Sequence, residues 1–217
     1  MKQKIVFLLT IMLLPFIFYG CRTAPVKKAT APNRNMICDE KADEAMKEKR
    51  YEKSIILHEF FLKENPDNGL AMYHMGYSYG QLGDHEYEVK YYEKAIGLDF
   101  YGFSILFNLG MVYGEMGKYE DSLRVLKKAT EMEPEKAENH FGLAFTYMKM
   151  TSYELAEKEF IKAIKLEPED VDSIFFLSVC YAETGRINKA KDQLERLIEI
   201  APDNEMTLKL KKILGNS

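Results

Sequence analysis

The stretch Leu106–Pro134, LFNLGMVYGEMGKYEDSLRVLKKATEMEP, sets small residues at Gly110, Ser122 and Ala129 among Leu109, Tyr113, Tyr119 and Leu126, and closes on Pro134. Working outward, the same arrangement returns every 34 residues on both sides. Such a period decides the fold before any single residue is weighed. Numbering each window from one, position 32 holds Pro66, Pro134, Pro168 and Pro202, and Phe100 alone breaks the series. Position 8 is always small (Ala42, Gly76, Gly110, Ala144, Ser178), and position 11 holds Ala45 and then Tyr79, Tyr113, Tyr147 and Tyr181. Position 27 carries Ala95, Ala129 and Ala163, flanked by Phe61 and Leu197.

Five windows, 35–68, 69–102, 103–136, 137–170 and 171–204, follow one another without insertion or deletion. On these residues the chain resembles the tetratricopeptide-repeat (TPR) family, whose unit is a helix–turn–helix. The resemblance implies an all-α, right-handed superhelical solenoid of five TPR repeats, with helix A over positions 1–14 and helix B over 15–31. Small residues at positions 8, 20 and 27 let the two helices approach, and positions 4, 7, 11 and 24 fill the space between them. Gly83, Gly117 and Gly185 at position 15 suit a left-handed residue closing helix A. A capping helix is expected within 205–217, where Met206, Leu208, Leu210, Ile213 and Leu214 supply an apolar face and lysines a wet one. Two repeats deviate. Repeat 1 places Cys38, Lys41, Ser54 and His58 where the family prefers core residues, and repeat 2 replaces the proline turn with Phe100-Tyr101-Gly102-Phe103.

Composition agrees with one helical domain: 217 residues, 47% hydrophobic and 29% charged, with no sustained strand alternation. The formal charge of −4 and the lack of a basic face argue against a nucleic-acid partner.

The amino terminus is of another kind. Lys2 and Lys4 precede an uncharged run of fifteen residues, Ile5–Tyr19, short of the ~20 that span a bilayer and suited to a signal-peptide core. Gly20-Cys21 follows and resembles a bacterial lipobox, although Phe18 and Tyr19 depart from its usual aliphatic and small residues. The resemblance implies a lipoprotein signal over 1–20, a diacylglyceryl group (with palmitate-type acylation) on Cys21 and an envelope location, on the periplasmic face of the outer membrane. An ordinary cleaved signal and an uncleaved anchor are the alternatives. Residues 21–34 then comprise the lipidated cysteine and a linker whose last thirteen residues reach at most about 45 Å.

No catalytic constellation stands out, so the chain is expected not to be an enzyme and to need no cofactor. His58, His74, His85 and His140 fall at unrelated repeat positions, and no spacing joins them to cysteines or carboxylates, so no metal site is expected. His140 at position 4 reads as packing, and Cys38 and Cys180, one in each terminal repeat, as unpaired thiols.

In TPR proteins ligands lie along the concave face lined by helix A. Positions 5 and 9 are one turn apart on that helix. They give Tyr73 and Tyr77, Phe107 and Met111, Phe141 and Phe145, Phe175 and Val179, with Met148 beside them. This predicts an apolar, aromatic stripe, ending at Asp39 and Asp43 in repeat 1. The family's polar clamp for acidic carboxyl termini is not assembled. An exposed stripe of this length calls for a cover. The candidate covers are a segment of another envelope protein, a small hydrophobic ligand of an envelope transport system, and a second copy of the chain as a homo-oligomer.

Overall fold

The computed structural model describes residues 38–100 and 102–215. The signal-like run, Cys21 and the linker lie outside the described residues. Eleven helices and no strand are present among the described residues. They run α1 Glu40–Lys47, α2 Tyr51–Glu64, α3 Gly69–Gln81, α4 His85–Gly97, α5 Phe103–Glu115, α6 Tyr119–Met132, α7 Ala137–Lys149, α8 Tyr153–Leu166, α9 Val171–Glu183, α10 Ile187–Ile200 and α11 Glu205–Gly215. Odd-numbered helices up to α9 are the A helices, and their even-numbered successors are the B helices. Each pair packs as a hairpin, each hairpin packs on the next, and α11 covers α9 and α10.

The small residue at position 8 is needed because position 24 of the same repeat reaches its backbone. A Cβ on Gly76 would lie 2.6 Å from the Tyr92 ring, and one on Gly110 would lie 2.4 Å from Leu126 Cγ. Both large partners are fully buried. A hydroxyl at position 20 or 8 also ties the helices at this crossing. Ser122 Oγ donates to the Gly110 carbonyl at 2.7 Å, and Ser178 Oγ donates to the Ala190 carbonyl at 2.9 Å. These bonds satisfy hydroxyls that burial would otherwise strand.

The turn from helix A to helix B is left-handed in all five repeats. Position 15 has φ of 61° at Lys49, 78° at Gly83, 74° at Gly117, 57° at Thr151 and 76° at Gly185. Glycine takes this conformation freely, whereas Lys49 and especially the β-branched Thr151 adopt it against their preference. The turn from B to the next A depends on proline in four cases. The residue before each proline leaves the helical region, as at Glu133 (φ −138°, ψ 77°), because the proline ring crowds the helical conformation there. Without proline, repeat 2 ends differently: Asp99 turns left-handed at φ 59°, and the Phe100 amide bonds back to the Ala95 carbonyl at 3.0 Å. This junction is also where successive A helices separate. Helices α1 and α3, α5 and α7, and α7 and α9 touch, whereas α3 and α5 barely meet. Side chains bridge it instead, with the Tyr113 hydroxyl donating to Glu93 at 2.5 Å and Asn108 reaching Tyr73 and Tyr92 at 3.4 Å each.

Candidate binding surface

The expected stripe divides into two parts. Tyr73, Tyr77, Phe107 and Val179 are half-buried and present part of their surface. Met111, Phe141, Phe145, Met148 and Phe175 are buried, Phe175 completely. The expectation of one continuous exposed stripe therefore fails throughout repeat 4 and in part in repeats 3 and 5, at Met111 and Phe175. Neighbouring hairpins pack so closely there that aromatic rings from three helices share one cluster. Phe141 and Phe145 of α7 lie 5.9 and 5.3 Å from Phe176 of α9, and Phe160 of α8 lies 5.9 Å from Phe141. These edge-to-face and tilted contacts are ordinary core geometry for aromatic rings.

The half-buried part is built from three helices. Tyr73 and Tyr77 lie one turn apart on α3. Tyr73 rests against Tyr92 and Phe100 at 5.7 and 6.0 Å, and Tyr77 stands edge-on to Tyr51 of α2 at 6.3 Å. Phe107 of α5 lies over Gly142 of α7, where a Cβ would come within 3.3 Å of its ring. Packing of this kind limits rotamer freedom, so these rings offer rigid edges to a partner.

The surroundings are acidic. Asp172 and Glu183 share with Val179 one face of α9, at spacings of seven and four residues. Burial and then the neighbouring Asp170 push the Asp172 carboxyl up to about 6, and burial raises Glu183. Glu115 on α5 is also raised by burial, against the opposing charges of His85 and Lys149. Two depressions in the surface lie elsewhere, one on α6 around Leu123 and Lys127 and one at the Gly185–Lys189 turn.

No sequence spacing links the histidines to other ligating groups, yet the fold brings two of them beside a cysteine and a carboxylate. Stacking α2 on α3 brings Cys38, Asp43, His58 and His74 together, with one donor atom from each within 4.8 Å of the others. Sequence spacing conceals this group because its members come from three helices and the segment before α1, at four different repeat positions. His85 pairs instead with Glu88 at 3.0 Å. His140 is packed, as expected, but also bonded: Nδ1 lies 2.8 Å from Glu159, and Nε2 donates to the Pro134 carbonyl at 3.1 Å. Cys38 and Cys180 are both free thiols.

The family descriptions that match the chain are both "Tetratricopeptide repeat", one over residues 70–101 and 103–136 and the other over 152–213. Together they span more than half of the chain. Among curated proteins, none matches it closely enough to count as a relative. Among solved structures it is similar to YrrB, a TPR protein described as having an unusual peptide-binding site, at 21% identity and TM-score 0.66, covering 79% of this chain and 88% of that one. It is similar to MamA from Desulfovibrio magneticus RS-1 (residues 41 to end), at 18% identity and TM-score 0.70, covering 76% and 93%. A thermophilic TPR protein of Thermus thermophilus, TTC0263, gives 24% identity and TM-score 0.63, covering 81% and 94%. At these identities the likeness concerns the fold.

Proposed function

This chain belongs to the tetratricopeptide-repeat family, and from that premise we propose that it is a non-catalytic adaptor that holds a segment of another protein on its helix-A face. The observation carrying this reading is the group of half-buried apolar residues on three A helices, Tyr73 and Tyr77 on α3, Phe107 on α5 and Val179 on α9, with the carboxyls of Asp172 and Glu183 beside Val179. Rigid aromatic edges supply contact area, and the acids at Asp172 and Glu183 select the sign of the partner's charge. The fitting segment is amphipathic and basic. A small apolar ligand has less support, because Phe145 is already engaged in joining α7 to α9 and Phe175 is fully buried.

The lipobox-like Gly20-Cys21 supports anchoring of this adaptor in a bacterial envelope, with the linker after Cys21 setting its reach from the membrane. The partner is then an envelope protein.

A photo-crosslinking residue placed at Tyr77 or Phe107 in the membrane-bound chain tests the reading. The expected result is a defined protein adduct at both positions and none at Lys158 on the outer face of α8. Loss of that adduct in an Asp172→Lys, Glu183→Lys variant supports the charge argument. Equal labelling from both faces, or undiminished capture by a Tyr77→Ser, Phe107→Ser variant, overturns the helix-A surface as the site.

A further inference from the structure

In repeat 1, side chains that should fill a core are chemically wrong for one. Position 24 is Tyr92, Leu126 and Phe160 in the three middle repeats, but His58 in the first. His58 is nonetheless fully buried, and His74 is 7% exposed. Burying imidazoles beside a carboxylate costs free energy unless every polar atom finds a partner.

The partners are known for one side of His58 only. Its Nδ1 lies 2.9 Å from the Ser54 carbonyl, which can only accept, so Nδ1 carries the proton and Nε2 presents a lone pair. Ser54 is itself held by the Ser78 hydroxyl at 3.3 Å. Nε2 then faces Asp43 Oδ1 at 3.3 Å, and His74 Nδ1 faces the same oxygen at 2.8 Å. Neither approach has hydrogen-bond geometry: Asp43 Oδ1, His58 Nε2 and His74 Nδ1 are all buried without a hydrogen-bond partner. Two imidazole nitrogens therefore converge on one carboxylate oxygen without hydrogen-bond geometry, and the Cys38 sulfur completes the group within 4.8 Å. Donors arranged in this way repel one another unless a cation sits among them.

We propose that Cys38, Asp43, His58 and His74 form a structural site for a divalent transition-metal ion of the Zn2+ class, joining the first repeat to the second. One sulfur, two imidazole nitrogens and one carboxylate oxygen suit such an ion and not Mg2+ or Ca2+, which take oxygen donors. Four protein donors fill a tetrahedral shell, in which neighbouring ligand atoms lie about 3.3–3.8 Å apart for ordinary zinc bond lengths, so the site is closed to substrate and structural. The four donor atoms already lie within 4.8 Å of one another, so small side-chain shifts would bring them to those separations. The Ser54 carbonyl on His58 Nδ1 is the kind of outer contact that fixes a ligating histidine's tautomer.

The site also accounts for the weakness of repeat 1 as a terminal unit. Helix α1 has eight residues and buries only Ala42 and Ala45. A metal bound across Cys38, α1, α2 and α3 replaces the apolar packing that this end lacks, and binding energy becomes folding energy.

The test uses the full-length chain in a Cys21→Ser background, purified in detergent, stripped on a chelating resin and exposed to Zn2+ or Co2+. Expected results are one Zn2+ retained per chain, and a Co2+ form showing tetrahedral d–d bands with thiolate-to-metal absorption. Cys38→Ser should lose the thiolate absorption, and both Cys38→Ser and His74→Gln should weaken Zn2+ binding by about 100-fold or more, the upper range for disturbing a ligand's surroundings. Cys38 and Asp43 are only partly buried, so Asp43→Asn gives a third variant that disturbs little packing. Hydrogen exchange locates the effect: Zn2+ should slow exchange in α1, α2 and the start of α3 and leave α8 to α10 unchanged. Failure to retain Zn2+, equal retention by Cys38→Ser and His74→Gln, Co2+ binding without thiolate absorption, or protection spread evenly along the chain each overturns the proposal.

Discussion

The Cβ of Phe100 lies 2.3 Å from where a Cβ on Gly69 would stand, with Phe100 Cγ only 2.9 Å away. Phe100 holds the position that proline takes in the other four repeats, and Gly69 opens the A helix of the same repeat. Alanine for glycine at a helix start ordinarily helps, by up to about 1 kcal/mol. Here the clash involves the stem of the phenylalanine, which cannot swing away, and overpacking costs about 1–3 kcal/mol. The clash therefore decides the sign. Gly69→Ala should destabilise the protein in urea denaturation, and a Phe100→Gly, Gly69→Ala double variant, which removes the clashing Cβ, should show favourable coupling between the two changes.

Thr151 sits at φ 57° in the turn joining α7 to α8. A β-branched residue in the left-handed region carries about 1–2 kcal/mol of strain. Glycine removes that strain but gives up some stability through the greater freedom of the unfolded chain. Thr151→Gly should therefore stabilise the protein by a net of about 1 kcal/mol. The converse change at the equivalent site, Gly83→Ala (φ 78°), should destabilise it by a similar amount. Opposite shifts in urea midpoint check both.

What was legible in the sequence follows the physics of short and long range. Helix bounds were readable because proline and glycine act locally: Pro134 and Pro168 force the residue before them out of the helix, and Gly117 and Gly185 mark left-handed turns. Lys49 and Thr151 take the same turn with no residue-type signal, because the stacked hairpin imposes it. Register assigns the stripe to one face of each A helix, because residues one turn apart point the same way. Register says nothing of cover, and Phe145 is covered by Phe176, 31 residues away on another helix. The group around His58 and His74 was invisible for the same reason. It exists only once α2 lies on α3, and no motif spacing records that contact.

Glu88 is 2% exposed, with His85 3.0 Å from its carboxylate. Burial raises the Glu88 carboxyl above its ordinary value, and the hydrogen bond to Glu88 raises His85 above its own. Both shifts mean that the folded state binds protons more tightly than the unfolded chain. Stability from His85 is full below about pH 6.5 and fades as pH rises through its folded value, and the Glu88 shift acts in the same direction from about pH 4.5 upward. The protein should thus be less stable at pH 8 than at pH 6. Glu88→Gln should flatten that fall by removing both the buried charge and the partner of His85. A decline of unchanged steepness in urea midpoints measured across this range would assign it to other groups.

Ile56 and Phe60 lie one turn apart on α2 and are 64% and 66% exposed, while the adjacent Ile55 is 7% exposed. The other repeats place Lys90 and Lys94, Arg124 and Lys128, Lys158 and Lys162, and Asp192 and Arg196 at the positions of this pair. The repeat fold therefore expects charge there and does not use Ile56 or Phe60 for packing. Ile56→Lys with Phe60→Lys should change stability by no more than about 0.5 kcal/mol, as for surface positions generally. Ile55→Lys, one residue away, buries an ammonium among apolar neighbours and should cost about 3 kcal/mol or more, enough to threaten the first repeat. Thermal and urea unfolding of the two variants decide the matter, because a large loss in the Ile56, Phe60 variant would mean that α2's outer face is a packed surface and not a free one.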